Sequence, residues 1–432
     1  MSDDLLARHR AALPAWMPLY YADRPLEIVS GDGRRVTDAA GKTYLDFFGG
    51  VLTNMIGYAI PEIMEAVERQ LRTGVVHTST LYLIRAQVEL AEKVARVSGI
   101  PDARVFFTNS GTEANEAALL MATNIRRSNQ VLAIKNSYHG RTFATMAVTG
   151  HRSWSASSLS PLQVHWLASG DRLRGRMRGL SDGDVLDQAV DDLREVLATV
   201  TAGDVAALIA EPIQGVGGFV HAPDGVLAAY KKELDEHGIL LIADEVQTGW
   251  GRTGEHFWGY QAHGVVPDLI TFAKGIGNGF ALGGVVGRAD VINAVPAISF
   301  STFGGNPVAA AAGNAVLDYV LDHDLQGNAR RVGEILLAGL RAVAAESPIV
   351  ADVRGRGLMI GVEFVRPGTT EPDPAATVRV FEACREGGLL VGKGGLYNNV
   401  LRMGPPLTLT EDEAREGLAV LTDAITATAA AY

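Results

Sequence analysis

The stretch Leu269-Ile270-Thr271-Phe272-Ala273-Lys274-Gly275-Ile276-Gly277-Asn278-Gly279 decides the fold and much of the chemistry. Its first residues form an apolar run that predicts a buried strand. The glycine-rich segment behind them predicts a turn that bends the backbone away and leaves the Lys274 amine facing a cavity. A lysine delivered by such a strand is desolvated, and burial favours its neutral form. A neutral amine is a nucleophile toward an aldehyde. An isolated lysine after an edge strand would sit on the surface, so this reading depends on what the rest of the chain supplies.

Ala243-Asp244-Glu245-Val246-Gln247-Thr248-Gly249 follows the apolar run Ile239-Leu240-Leu241-Ile242. Open α/β sheets place ligand groups at strand ends, where Asp244 is expected. A buried carboxylate there can hold a proton on a ring nitrogen, and a pyridoxal ring is an electron sink only while that proton stays on. Alternation sends Asp244 and Val246 one way and Glu245 the other. Taken alone, Asp244 could equally cap a helix.

Val105-Phe106-Phe107-Thr108-Asn109-Ser110-Gly111-Thr112-Glu113-Ala114-Asn115-Glu116-Ala117 reads as a strand, a tight turn and a helix start. Free backbone N–H groups and two hydroxyls at a helix N-terminus make a phosphate seat. The competing reading is an ordinary capping box, with Thr112 as cap and Asn115 at the third position. The order of this turn, Asp244 and Lys274 along the chain favours a pyridoxal-phosphate site.

These motifs carry a resemblance that covers nearly the whole chain. It begins at Gly41-Lys42-Thr43-Tyr44-Leu45-Asp46-Phe47 and includes Ser137-Tyr138-His139-Gly140 and Glu211-Pro212-Ile213-Gln214-Gly215. It continues through Ser301-Thr302-Phe303-Gly304-Gly305-Asn306-Pro307, Val353-Arg354-Gly355-Arg356-Gly357-Leu358 and Leu401-Arg402. The sequence resembles the class III (ornithine/4-aminobutyrate type) aminotransferases. Phe257-Trp258-Gly259-Tyr260-Gln261 and Gly387-Gly388-Leu389-Leu390-Val391-Gly392 look most like the alanine–glyoxylate / β-amino-acid–pyruvate branch. The resemblance implies the aspartate-aminotransferase fold (PLP fold type I), an α/β architecture with a large, mostly parallel sheet domain and a smaller α+β domain.

By the same resemblance, Lys274 is the cofactor lysine and Asp244 the partner of the pyridine nitrogen. Gln247 and Glu211 lie near the ring hydroxyl, with Val246 beside them among the cofactor-binding residues. Ser110, Gly111 and Thr112 cradle the phosphate. Tyr138 stacks on the ring, an apolar face that suits a π-system, and His139 is either a helper beside the ring or a packed core histidine. Thr302 reaches the phosphate from a second subunit, which implies a homodimer with composite active sites. Arg402 clamps a substrate carboxylate with its planar fork. No metal is expected.

Two departures from the class pattern stand out. A glutamate masks the carboxylate-binding arginine in the ornithine and 4-aminobutyrate branch, and its position here is Val216. Gly57-Tyr58-Ala59-Ile60-Pro61 replaces a Gly-His-x-His-Pro pattern and reshapes a wall of the site. The expected reaction is transfer of an amino group from an amino acid or amine to a short 2-oxo acid, pyruvate or glyoxylate, by ping-pong chemistry. An aminomutase, decarboxylase or phospho-lyase would use the same lysine and aspartate.

Composition agrees. At 432 residues and 47% hydrophobic, the chain can bury a large core and exceeds one usual domain. A net charge of −11 argues against non-specific nucleic-acid binding. Cys384 is the single cysteine, so a reducing, cytoplasmic setting is expected. Met1-Ser2-Asp3-Asp4 lacks the basic opening of a secretory signal. Val308–Leu317 is too short to span a membrane and reads as a small-residue core helix. The expected divisions are an N-terminal segment, 1–65, packed on the small domain, a cofactor-binding domain, 66–315, and a C-terminal domain, 316–432. Asp171–Leu180 alternates arginines on a glycine-rich loop, either solvated or gripping an anion.

Overall fold

The computed structural model describes residues 3–21 and 24–432. The expectation drawn from Met1 and Ser2 lies outside the described residues. Three short strands come first: β1 (Ile28–Asp32), β2 (Arg35–Asp38) and β3 (Thr43–Asp46). Seven follow: β4 (Ala103–Thr108), β5 (Gln130–Ile134), β6 (Gln163–Leu167), β7 (Ala207–Ala210), β8 (Leu240–Asp244), β9 (Leu269–Phe272) and β10 (Gly283–Arg288). The last five are β11 (Val350–Arg356), β12 (Met359–Phe364), β13 (Leu389–Leu390), β14 (Gly392–Gly394) and β15 (Val400–Met403).

The central sheet has the order β4-β10-β9-β8-β7-β5-β6. Only β10 runs against its neighbours; β9, β8, β7, β5 and β6 pair in parallel. Parallel neighbours need long crossovers. The helix Val226–Glu236 supplies the one between β7 and β8, while Gly111–Arg126 and Asp182–Thr199 carry the chain from β4 to β5 and from β6 to β7. Every residue of β7, β8 and β9 is buried, as expected for strands covered on both faces.

This topology positions the site. Strands β9, β8 and β7 are adjacent and parallel, so their carboxyl ends meet at one edge. Asp244 ends β8, Glu211 follows β7, and Lys274 lies just past β9. Strand β4 opposes β10, which opposes β9, so β4 delivers Ser110 to the same edge.

Two smaller sheets complete the molecule, with orders β1-β2-β3-β13 and β11-β12-β15-β14. Strand β13 pairs in parallel with β3, Leu389 opposite Leu45, which joins the start of the chain to its end. Strand β15 carries Arg402 opposite Gly392 of β14. The Ala/Gly-rich stretch forms the helix Pro307–Asp322, whose Ala310, Ala312 and Gly313 are buried. A Cβ on Gly313 would come within 2.7 Å of Leu282, so small residues let this helix press close. Among the described residues, no helix is long and apolar enough to cross a membrane.

Candidate active site

Lys274 opens a tight 3-10 turn, Lys274–Gly277, with its own φ at 49°. A lysine in the left-handed region is strained, and such strain persists only where the surroundings over-determine it. Gly275 is one cause: a Cβ there would lie 2.5 Å from Met55 Sδ. Burial pushes the Lys274 amine below its ordinary range, against the opposing pull of Asp244 and Glu211. The amine is therefore biased toward its neutral form.

Asp244 is 4% exposed and sits in a closed polar network. Its Oδ2 accepts from Asn115 Nδ2 at 2.7 Å and lies 2.7 Å from His139 Nδ1. Its Oδ1 accepts from the Val246 amide at 3.1 Å. Asn115 also donates to the His139 carbonyl, and the Thr271 hydroxyl donates to Asn115 Oδ1, which fixes the amide's orientation. Glu245 points the other way and accepts from the Gly259 and Tyr260 amides, as strand alternation predicts.

The helix after β4 starts at Gly111, and its cap is Ser110, whose hydroxyl accepts from the Glu113 amide at 3.2 Å. The cap is thus two residues earlier than in the capping-box reading with Thr112 and Asn115. Ser110 adopts extended φ and ψ, which places Thr112 inside the first turn. Asn115 is consequently not a cap partner but a member of the Asp244 network. It is 1% exposed and shares the buried stripe of Ala118, Leu119 and Ala122. A polar residue inside an apolar helical stripe was the available signal. Gly111 packs on Val246: a Cβ there would be 2.9 Å from Val246 Cγ1.

Glu211 accepts from the Tyr138 amide at 2.9 Å and the Gly215 amide at 2.8 Å. Burial pushes its carboxyl up to about 7, opposed by His139 and assisted by Asp244. Gln247 packs against Gly215, where a Cβ would come within 2.3 Å of its amide. Tyr138 is half-buried and meets Trp154 edge-on at 5.2 Å.

Arg402 is 4% exposed and has no carboxylate partner among the described residues. Its Nη1 donates to the Gly215 carbonyl at 3.0 Å, and Nε and Nη2 donate to the Lys393 carbonyl. Its guanidinium stands over Phe48 at 5.4 Å and Phe219 at 5.7 Å. Carbonyl dipoles and aromatic faces solvate the cation without neutralising it. Val216 is buried nearby, and its carbonyl accepts from the Gly395 amide.

Thr302 is exposed and lies outside this cluster within one chain. Its neighbour Ser301 accepts from Asn109 Nδ2 at 3.1 Å, which keeps the loop beside the Ser110 turn. The alternating arginines are committed to acids: Arg172 to Asp182, Arg174 to Glu363 and Arg176 to Asp192. No anion grip is left on those three side chains.

The remaining polar capacity matches a flat, anionic, nitrogen-containing aldehyde. Buried Gln247 Oε1 and His139 Nε2 have no hydrogen-bond partner. The first-turn amides after Ser110, the Thr112 hydroxyl and the desolvated amine of Lys274 complete a cradle for phosphate and aldehyde. The residues present therefore fit pyridoxal phosphate.

The family model Aminotransferase class-III matches residues 20–425, and the chain belongs to that family. It is a PLP-dependent aminotransferase of fold type I. Alanine–glyoxylate aminotransferase 2 homolog 2, mitochondrial, from Arabidopsis thaliana is 41% identical over 96% of this chain and 85% of its own length. A phospholyase from Arthrobacter in complex with phosphoethanolamine superposes with TM-score 0.89 at 35% identity, covering 98% of this chain and 99% of that one. An amine transaminase from an uncultivated Pseudomonas species, in its PLP-bound form, gives TM-score 0.89 at 32% identity over 96% and 98% of the two chains.

Proposed function

We propose that this aminotransferase passes an amino group from an amino acid or amine to a short 2-oxo acid, pyruvate or glyoxylate. One observation carries the acceptor reading: Arg402 is buried without an acid, and Val216 occupies the position from which a glutamate would mask it. A permanently available guanidinium favours a carboxylate next to the reacting carbon in both half-reactions. The naming of the Arabidopsis relative for alanine and glyoxylate supports the same class of substrates. Initial rates with pyruvate, glyoxylate and 2-oxoglutarate test it, and a strong preference for 2-oxoglutarate would overturn it.

Pyridoxal phosphate, when bound, supplies the aldehyde that takes the amino group and the ring that accepts electron density. Ser110, Gly111 and Thr112 would hold its phosphate, Tyr138 its face, and Gln247 and Glu211 the region of its hydroxyl. Asp244, steadied by Asn115 and His139, keeps a proton on the ring nitrogen. The Lys274 amine removes the proton beside the substrate nitrogen and later returns one, as base and then acid. Arg402 orients the substrate carboxylate. One site serving both halves implies ping-pong kinetics.

The Arthrobacter neighbour keeps a phospho-lyase as the second reading. Conversion of the enzyme's absorbance by an amino donor alone, with no release of phosphate, separates the two.

The same proposal includes a homodimer in which Thr302 completes the partner's phosphate seat. Leu81, Tyr82, Leu83, Ile298 and Phe303 are exposed, and His77 joins the two segments by a ring contact with Phe303 at 4.8 Å. An apolar surface of this kind suits an obligate interface. The division into 1–65, 66–315 and 316–432 belongs here as well, supported by the β3–β13 pairing of first and last segments. A cytoplasmic setting is supported by the single, buried Cys384, whereas the Arabidopsis relative is described as mitochondrial.

A further inference from the structure

Phe48 lies beneath the Arg402 guanidinium at 5.4 Å and fits flush on the backbone of Gly392, where a Cβ would come within 2.1 Å of its ring. It enters a turn of unusual backbone. Gly49, Gly50, Val51 and Leu52 take successive φ values of 55°, 61°, 65° and 63°. Two of these are non-glycine residues held in the left-handed region, so the turn persists only if its surroundings over-determine it.

Asp46 is the hold at its start. Its buried carboxylate accepts the Phe48 amide at 2.8 Å and the Gly49 amide at 3.0 Å on Oδ1. Its Oδ2 accepts the Tyr58 hydroxyl at 2.6 Å. Tyr58 is itself anchored: its backbone bridges to Gly33, and its ring covers Gly31, where a Cβ would be 2.7 Å away. The far end of the segment is tied to the lysine turn. The Ile56 amide donates to Asn278 Oδ1 at 3.0 Å, and Asn278 Nδ2 donates to the Gly57 carbonyl at 2.9 Å. One short segment therefore spans from the floor of Arg402 to the turn that carries Lys274.

We propose that Tyr58 is a positioning residue for the carboxylate seat: through Asp46 it locks the left-handed turn that holds Phe48 beneath Arg402. The inference rests on Arg402 as the carboxylate site. Phenylalanine at 58 keeps the ring on Gly31 and removes only the hydroxyl. Asp46 then holds the turn with one side of its carboxylate unanswered, and Phe48 is free to shift.

The test is Tyr58→Phe, assayed in steady state with pyruvate and with a carboxylate-free amine donor. KM for pyruvate is expected to rise about tenfold, the worth of one hydrogen bond to a charged group, with kcat nearly unchanged. KM for the carboxylate-free amine should not move. Amide hydrogen exchange at Phe48 and Gly49 should quicken while the rest of the protein keeps its protection. Asp46→Asn, which keeps the shape and loses the charge, serves as the second variant if Tyr58→Phe folds poorly. Equal effects on both substrates, or quickened exchange with no change in the pyruvate KM, overturn the proposal. Arg402→Lys run in parallel separates the two claims. If it leaves pyruvate KM unchanged, the carboxylate reading has failed. If it raises that KM while Tyr58→Phe does not, only the Tyr58 inference has failed.

Discussion

His139 Nδ1 and Asp244 Oδ2 stand 2.7 Å apart, and both side chains are sealed from solvent. The oxygen is shared with Asn115, so one oxygen of a buried carboxylate faces two side chains, one from a helix and one from a loop, while the Val246 amide holds the other oxygen. Removing one leaves a buried charge under-satisfied.

Asn115→Ala is expected to destabilise the apo-protein by about 1.5–3 kcal/mol, the usual cost of losing a hydrogen bond to a charged group. Cofactor affinity should fall with it, because Asp244 gains freedom to turn from its ligand. Asn115→Asp should be worse, since it sets a second carboxylate against the first. Urea unfolding of the apo-protein and fluorescence titration with pyridoxal phosphate measure both effects. An alanine variant of unchanged stability and affinity would remove Asn115 from the site.

Lys274→Ala should still bind the cofactor through Ser110, Thr112 and Asp244 but lose the covalent link and nearly all turnover. Borohydride reduction and peptide mapping of the unmodified enzyme check the attachment. A label on Lys135 or Lys393 would sink the assignment. The backbone adds a second expectation. At φ 49°, glycine is relieved of strain that alanine keeps. Lys274→Gly should therefore be more stable than Lys274→Ala by about 1 kcal/mol in apo unfolding.

The strand of residues 269–272, the lysine after it and Asp244 were legible because short-range signals place them: an apolar run, then a turn. Arg402 was legible only through the resemblance. Locally, Val400-Leu401-Arg402-Met403 is a buried strand with a cation in it. The carbonyls that solvate that cation belong to Gly215 and Lys393, and Gly215 is remote in sequence. Asn115 figured only in the competing capping reading, because a capping box and a buried network use the same residue type near the same helix start. Arg174 and Arg176 of the 171–180 loop found their acids, Glu363 and Asp192, on other elements, which no local pattern announces. The role proposed for Thr302 depends on a second subunit, which no pattern within one chain can announce.

Glu211 gives a pH dependence of definite sign. Burial moves its carboxyl from an ordinary 4.5 to about 7 in the folded protein. The folded state then binds the proton more tightly than the unfolded chain does. Stability of the apo-protein is fully supported at low pH by this group and falls as pH rises through the window from about 4.5 to about 7. Each pKa unit of that displacement is worth about 1.4 kcal/mol. Glu211→Gln should flatten that slope without abolishing it, because buried Glu245 is also pushed up to about 7. Chemical denaturation of both proteins across this range is the measurement. An identical slope in the variant would refute the buried-acid account of Glu211.

On the proposed reading, acceptor choice turns on Arg402 and Val216. The guanidinium is committed to carbonyl oxygens on three nitrogens, yet no acid among the described residues forms an ion pair with it. Lysine at 402 keeps a charge but loses the planar fork, so Arg402→Lys should weaken acceptor binding by roughly 1.5–3 kcal/mol. Val216→Glu tests the reverse. A carboxylate beside Arg402 would compete with the substrate's own, and α-amino-acid donors should suffer more than carboxylate-free amines. The buried setting of Val216 makes that glutamate costly unless it pairs with Arg402, which is what forces the competition. Steady-state constants for L-alanine, a carboxylate-free amine and the three oxo acids decide the matter. If Val216→Glu weakens the amine as much as alanine, the substitution has merely disturbed the pocket. If it weakens alanine alone, position 216 is where this enzyme keeps its arginine permanently open.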